Sequence, residues 1–140
     1  MKKIIKYFLF ILYIVLMIYL LLIKREVDYE AGYNLIPFYS FKMFFPLLTS
    51  EYSGYRYLAI SNLFGNIILF IPLGIFLPLI FEKQNKFFLF LLTATIIPII
   101  VELIQFFTKL GTADIDDVIL NVLGSLIGYS IFKILWGGKK

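Results

Sequence analysis

The sequence contains no cysteine and no histidine. Without cysteine there can be neither a disulfide scaffold nor thiolate chemistry. Without histidine there is no Ser-His-Asp triad and no zinc site of the usual kind. Charge is also scarce, because only 16% of the residues are charged and 61% are hydrophobic. Soluble domains contain roughly 45–50% apolar residues. The composition therefore excludes a soluble enzyme, and it excludes a nucleic-acid binder despite the net charge of +4.

The apolar residues are gathered into long runs rather than spread along the chain. A helix needs about 20 such residues to cross the hydrocarbon core of a bilayer. Spans are predicted at about 4–23, 58–81, 87–108 and 117–136. The first run is too long for the apolar part of a signal peptide, and no small-x-small cleavage site follows it. The sequence predicts a single all-α membrane domain over residues 1–140, with four transmembrane helices and an uncleaved first span.

The basic residues indicate how the chain lies in the cell membrane. Cytoplasmic loops of multi-pass proteins carry an excess of lysine and arginine. Eight lysines lie at the termini or in the link between the second and third spans, against five basic residues in the other two loops. This pattern predicts cytoplasmic N- and C-termini. The loop between the first and second spans is then external and, being rich in phenylalanine and tyrosine, is expected to lie along the membrane surface over residues 35–57.

Three pairs of polar residues interrupt the apolar spans. The pairs are Asn62 and Asn66 in the second span, Glu102 and Gln105 in the third, and Asp117 and Asn121 in the fourth. Residues three or four apart share a helix face. At 1.5 Å rise per residue, Glu102 lies roughly 9 Å below the outer end of its helix, Asn121 roughly 6 Å and Asn66 roughly 9–12 Å. The spacing predicts a shared polar pocket near the outer surface. Interhelical hydrogen bonds and helix capping are the structural alternative.

The fourth span carries a stripe that favours close helix packing. Asp117, Asn121, Gly124 and Gly128 follow the i, i+4, i+7, i+11 spacing of one helix face. Two glycines four residues apart allow a neighbouring backbone to approach closely. The stripe is therefore expected to turn the polar face of this span towards the interior of the protein.

The motifs resemble those of the VanZ-like family of small membrane proteins over nearly the whole chain. They are Asn34-x-x-Pro37-Phe38, Gly65-Asn66-x-x-x-Phe70-x-Pro72-x-Gly74, Glu102-x-x-Gln105, and Asp114-Ile-Asp116-Asp117-x-x-x-Asn121-x-x-Gly124. The resemblance implies a link to resistance against teicoplanin-type glycopeptides in Gram-positive bacteria, but no particular reaction. Many members carry a basic residue just before the aspartate run, where this chain has Thr112.

Two functional hypotheses follow. In the first, the pocket binds a membrane lipid or a lipid-linked envelope precursor and affects glycopeptide susceptibility. Its ligand-binding residues are Asn34, Asn62, Asn66, Asp117 and Asn121.

The second hypothesis is an intramembrane enzyme acting on a phospholipid or a polyprenyl-linked substrate. Glu102 would be the general acid or base, with Gln105 beside it. Asp114, Asp116 and Asp117 would hold a divalent ion such as Mg²⁺. A transporter is the weakest hypothesis, because the inner halves of the spans lack polar groups. The sequence is also compatible with a homo-oligomer.

Overall fold

The computed structural model describes residues 3–23 and 32–137. The α-helices are α1 (Lys3–Ile18), α2 (Tyr39–Phe44), α3 (Ser53–Ile80), α4 (Phe87–Thr108) and α5 (Ile115–Trp136). A π-helical turn, Tyr19–Ile23, extends α1. Four of these segments are long and apolar enough to cross a membrane: α1 with its π-turn, α3, α4 and α5. The prediction of an all-α membrane protein with four spans is confirmed.

The helix boundaries agree with the predicted spans to within a few residues. α4 has the predicted limits of 87 and 108. α3 begins at Ser53 rather than at 58, because tyrosines and an arginine extend the helix beyond its apolar run. α5 begins at Ile115 because the Asp114 side chain caps it, accepting a hydrogen bond from the Asp116 N–H at 2.8 Å. Hydropathy alone misses such polar first turns, since it detects only the apolar part of a helix.

The loop between the first two spans contains structure that the sequence did not predict. A 3-10 helix, Phe45–Thr49, follows α2 directly. Two short strands, β1 (Tyr33–Asn34) and β2 (Ala113–Asp114), pair in parallel, with Tyr33 opposite Ala113 and Asn34 opposite Asp114. This pairing joins the long loop to the short loop before α5. Residues 24–31 of the predicted external loop lie outside the described residues.

Helices α3 and α5 form the centre of the fold and run parallel. Gly124 lies against the carbonyl of Ile67, and Gly128 lies against the carbonyl of Ile71. A Cβ at either glycine would come within 2.2 Å of a carbonyl oxygen, so the two backbones touch where these residues have no side chain. The close approach expected from the glycine stripe is present, and its partner is α3.

The first span is attached to this centre by side chains that reach backbone carbonyls of other helices. The Tyr13 hydroxyl donates to the Leu69 carbonyl at 2.9 Å, and Lys6 Nζ donates to the Leu79 carbonyl at 3.1 Å. Aromatic contacts join Phe10 and Tyr13 to Phe76. Since an apolar helix gains little hydrophobic energy by leaving lipid for protein, such packing and hydrogen bonds hold it in place.

The fold has two chemically different ends. We call the end formed by residues 32–57 and 109–116 the loop end. The opposite end, which we call the basic end, is formed by the first turns of α1, the link Phe81–Lys86 and the last turns of α5. Lys6 contacts the last turn of α3, and Lys133 Nζ donates to the Asn85 carbonyl at 3.0 Å. The start of α1 and the end of α5 therefore lie at the same end of the bundle.

Candidate functional site: a polar pocket at the loop end

The carboxylate of Asp116 holds helix α2 in position. Its oxygens accept hydrogen bonds from the backbone N–H groups of Phe38 at 2.6 Å, Ser40 at 2.9 Å and Phe41 at 3.2 Å. Only 3% of Asp116 is exposed. The first N–H groups of a helix have no partner within the helix. The Asp116 carboxylate, which belongs to α5, accepts hydrogen bonds from the N–H groups at the start of α2. It thereby fixes α2 across the loop end.

A second set of hydrogen bonds connects β1, α2 and β2. The Asn34 amide donates to Asp114 Oδ1 at 3.2 Å and to the Ser40 hydroxyl at 3.3 Å. The Ser40 hydroxyl in turn donates to the other oxygen of Asp114. The backbone N–H of Asp114 donates to Glu102 Oε2 at 3.0 Å. These contacts link the long loop, the aspartate run and α4 in one polar network.

This network forms one wall of a pocket with a volume of about 290 Å³. The pocket lies between α2, the third turn of α3 and the start of α5. Its lining residues are Asn34, Tyr39, Ser40, Met43, Phe44, Asn62, Thr112, Asp114 and Asp117. The lining combines two carboxylates and two amides with aromatic and thioether groups. No lysine or arginine is among the described residues that line it.

Three of the five predicted ligand-binding residues line this pocket, namely Asn34, Asn62 and Asp117. The Asn62 side-chain amide also donates to the Leu58 carbonyl of its own helix at 2.8 Å. Asn66 and Asn121 do not line the pocket; they are buried within the bundle, with 8% and 1% of their surfaces exposed.

The predicted polar residues thus occupy two levels rather than one. Asn121 belongs to the deeper level, where its Oδ1 has no hydrogen-bond partner among the described residues. The hydroxyl of Ser125 donates to the Asn121 carbonyl at 3.0 Å, one helical turn below. The close backbone contacts between α3 and α5 begin just beyond this level, where Gly124 meets Ile67.

The two predicted catalytic residues are also buried, outside the lining of the pocket. Glu102 is 6% exposed and Gln105 is fully buried. Glu102 accepts a hydrogen bond from the backbone N–H of Asp114, and Gln105 Nε2 donates to the Leu21 carbonyl at 2.9 Å. Neither side chain lines the pocket. Both therefore link α4 to neighbouring segments, the aspartate run in one case and the π-helical turn of the first span in the other.

The three predicted metal ligands do not act alike. Asp116 uses both carboxylate oxygens for backbone N–H groups of α2, and Asp114 uses both for Asn34, Ser40 and the N–H of Asp116. Over residues 3–23 and 32–137, no three acidic side chains come together as a metal-ligand set.

Replacing Gln105 by leucine is expected to lower the free energy of unfolding by about 1 kcal/mol. The substitution keeps the side-chain volume but removes the amide that donates to the Leu21 carbonyl. That carbonyl then stays buried without a hydrogen bond from Gln105. Thr95→Val is a matched control, because its hydroxyl bonds only within α4, to the Leu91 carbonyl. Unfolding by a denaturing detergent would measure both variants. Equal stability of the two would show that the Gln105 contact does not hold the first span.

Sequence reasoning missed the contribution of α2 to the pocket. Ser40 connects Asn34 to Asp114, while Tyr39, Met43 and Phe44 supply the apolar part of the lining. These residues lie in a stretch dominated by aromatics, which resembles an interfacial belt. A serine in the middle of that stretch was the available signal, since a polar side chain there needs a partner.

An apolar groove lies on the other side of α2. It has a volume of about 250 Å³ and is lined by Phe38, Phe41, Asp116, Ile119, Leu120 and Leu123. The Asp116 oxygens are already hydrogen-bonded to α2, so the groove offers mainly hydrocarbon surface. Helix α2 therefore separates a polar pocket from an apolar groove at the same end of the protein.

Comparison with known proteins agrees with this architecture. Residues 10–136 match the VanZ/LLP1 family model. The chain belongs to the VanZ/LLP1 family. It is 30% identical over 145 residues to Protein VanZ of Enterococcus faecium, an alignment that covers 96% of this chain and 77% of that protein. No solved structure matches the chain. The matched residues include three candidate spans completely and about two thirds of the first, which supports a multi-pass membrane protein.

Proposed function

We propose that this VanZ/LLP1 protein binds the polar part of a membrane lipid or a lipid-linked envelope precursor in the pocket at the loop end. Through that binding it lowers susceptibility to teicoplanin-type glycopeptides. The observation that carries the proposal is the pocket itself: about 290 Å³, lined by carboxylates and amides, at the end of a bundle of apolar helices. Polar groups in such a position in a membrane protein serve ligand or substrate recognition more often than packing.

The proposal includes an orientation in which the loop end faces the outside of the cell. The described lysines of the basic end are Lys3, Lys6, Lys83, Lys86 and Lys133, and Glu82 is the one acidic residue described there. The positive-inside rule then favours cytoplasmic N- and C-termini. In this orientation the pocket opens on the side where envelope precursors are used and where glycopeptides act.

The pocket lining indicates the chemistry of the ligand. Asp114 and Asp117 make the lining acidic, and the described lining residues include no lysine or arginine. A bare phosphate would meet repulsion there, and at low effective dielectric that repulsion is strong. Groups that donate hydrogen bonds fit better. The ligand part bound in the pocket is therefore a hydroxyl-rich sugar or glycerol unit, or an amine.

The apolar groove beside α2 supports a ligand that also carries a hydrocarbon chain. The groove side chains Phe41, Ile119 and Leu123 are 41%, 39% and 44% exposed. Burying apolar surface is worth about 25 cal/mol per Å² when it is removed from water, but little when lipid is exchanged for protein. The groove thus positions a chain, while the pocket supplies the selectivity for its headgroup.

Resistance follows if the bound precursor or lipid is withheld from a membrane-proximal drug. A glycopeptide with a lipid tail reaches its target at the membrane surface. A protein that occupies or rearranges that surface reduces access to the target. The effect should then be larger for teicoplanin-type drugs than for a glycopeptide without a lipid tail.

Asp117→Asn and Asn62→Ala are expected to return susceptibility towards that of cells lacking the protein. Loss of one hydrogen bond to a charged group costs about 1.5–3 kcal/mol, which weakens binding on the order of tenfold or more. Minimal inhibitory concentrations of a teicoplanin-type drug would be measured in a susceptible Gram-positive host. Glu51→Gln is the control, because Glu51 is an exposed carboxylate at the loop end that does not line the pocket.

Two results would contradict the proposal. The first is unchanged resistance in pocket variants that are present in the membrane at wild-type levels. The second is turnover of labelled envelope lipids by the purified protein, which would favour the enzymatic hypothesis instead. Loss of resistance in Glu51→Gln would show that loop charge, rather than the pocket, is responsible.

A further inference from the structure

The basic end contains a second, larger cavity that the proposed function does not use. Its volume is about 500 Å³. It is an open cavity between the first two turns of α1, the end of α3, the link before α4 and the last two turns of α5. The residues that decide its chemistry are Lys3, Lys6, Tyr7, Glu82, Phe132 and Trp136.

Two lysines give this cavity a positive wall. Lys6 is partly buried, and its Nζ donates to the Leu79 carbonyl at 3.1 Å, which holds the ammonium group at the cavity. Lys3 lies one helical turn earlier on the same side of α1 and is exposed. Glu82 is exposed on the link and is the one acidic residue described in the lining. The lining therefore has a net positive charge and suits an anion.

Further lysines strengthen the positive potential without lining the cavity. Lys83 and Lys86 are exposed on the link. Lys133 is exposed on α5 and engages the Asn85 carbonyl and the Tyr129 ring, with its Nζ 5.1 Å from the ring centroid. A lysine next to an anionic headgroup contributes about 1 kcal/mol to lipid binding. Exposed lysines farther from the headgroup contribute less, because salt screens their charge.

The aromatic residues of the cavity indicate that it lies at the depth of the lipid headgroups. Trp136 stacks on Phe132 at 6.0 Å between ring centroids, and both line the cavity. Tryptophan favours the region where headgroups meet hydrocarbon. Next to the cavity, α1 presents an unburied apolar stripe formed by Ile4, Phe8 and Ile11, which are 83%, 64% and 62% exposed. Acyl chains can lie along this stripe while the headgroup enters the cavity.

We propose that the cavity at the basic end binds the phosphate headgroup of an anionic phospholipid, with Lys3 and Lys6 as the anion contacts. This site is separate from the pocket at the loop end and differs from it in charge. The basic cavity takes a phosphate, whereas the acidic pocket takes a donor-rich group. The two sites thus bind different parts of the lipid population at opposite surfaces of the bilayer.

The test compares two double variants that remove the same charge from the same end. Lys3→Gln/Lys6→Gln removes the cavity lysines, and Lys83→Gln/Lys86→Gln removes two exposed lysines outside the cavity. The purified full chain would be titrated with short-chain phosphatidylglycerol, phosphatidylcholine or inorganic phosphate in neutral detergent. Bound lipid would be counted by native mass spectrometry, and the thermal midpoint would be recorded in parallel.

The expected result is selective loss in the cavity variant. Phosphatidylglycerol should bind about 30-fold more weakly to Lys3→Gln/Lys6→Gln than to wild type. Its affinity for the control variant should stay within about threefold of the wild-type affinity. Phosphatidylcholine and inorganic phosphate should have little effect on any form. If loss of the Lys6 contact prevents folding, Lys3→Gln alone should weaken phosphatidylglycerol binding about fivefold.

Three outcomes would overturn the proposal. Equal weakening in both double variants would show attraction to general surface charge rather than to the cavity. Equal binding of phosphatidylcholine and phosphatidylglycerol would show that no anion is recognised. A response to inorganic phosphate as strong as the response to lipid would show that the site does not need a lipid.

Discussion

Replacing Gly128 by alanine is expected to destabilise the protein by about 2–3 kcal/mol, near the upper end of typical overpacking costs. A Cβ at this position would lie 2.0 Å from the Ile71 carbonyl oxygen and 3.0 Å from the Gly74 Cα. Both neighbours are backbone atoms and cannot rotate away. Helices α3 and α5 would have to separate, and the packing along their whole contact would loosen. Unfolding by a denaturing detergent, followed by far-UV circular dichroism, would measure the loss.

Gly65→Ala is the matched control for this substitution. Gly65 lies within α3, and no heavy atom outside its own helix lies within 4 Å of the position that a Cβ would take. Alanine favours a helix interior by up to about 1 kcal/mol over glycine. The control should therefore be as stable as wild type or slightly more stable. Equal stability of Gly128→Ala and Gly65→Ala would contradict the backbone contact between α3 and α5.

Replacing Asp116 by alanine is expected to release α2 from the bundle and to abolish the pocket. Three backbone N–H groups, those of Phe38, Ser40 and Phe41, would lose their acceptor. Each unsatisfied buried donor costs about 1–3 kcal/mol, and water at the membrane surface will satisfy part of this. A net loss of about 3 kcal/mol is expected. Asp116→Asn keeps one oxygen acceptor and should lose less.

Hydrogen exchange at the amides of Ser40 and Phe41 is the direct measurement for Asp116. Both amides should exchange much faster in Asp116→Ala, while the amides of α4 should keep their wild-type rates. Glu51→Ala provides the control, since it removes an exposed carboxylate from the same end of the protein. Unchanged protection of α2 in Asp116→Ala would show that its packing, rather than the carboxylate, holds it in place.

The Asp116 result also separates two roles for the aspartate run. If Asp116 acts chiefly on α2, then its loss affects the pocket by removing a wall. Asp117 lines the pocket directly, and Asp117→Asn should leave the protection of α2 unchanged while weakening binding. Adjacent aspartates would then differ in function because successive residues of a helix point about 100° apart, one towards α2 and the other towards the pocket.

The four membrane spans could be predicted from the sequence because their cause is local. A bilayer requires about 20 apolar residues in a row, and this requirement is visible in composition alone. The glycine stripe of α5 could also be recognised, since its spacing follows the helical repeat. The same local rules placed Glu102, Gln105 and Asn121 on inward-facing sides of their helices, and all three are buried.

Tertiary structure alone decided how those polar groups are divided. Depth estimated from helical rise treats each helix as an isolated rod, and so it placed Asn66, Glu102 and Asn121 beside one pocket. Close packing of α3 on α5 instead leaves Asn66 and Asn121 within the bundle. The pocket lies nearer the loop end, where β1 pairs with β2 and residues of α2 form part of the lining.

By itself, then, the sequence determined the membrane class, the number of spans and which residues avoid lipid. It did not determine that Ser40 meets Asp114, or that Asp116 caps a helix 76 residues away along the chain. Those contacts join segments that are distant in sequence, and their energy depends on geometry that no local pattern records. Periodicity reports the face a residue occupies, whereas a binding pocket depends on what lies opposite that face.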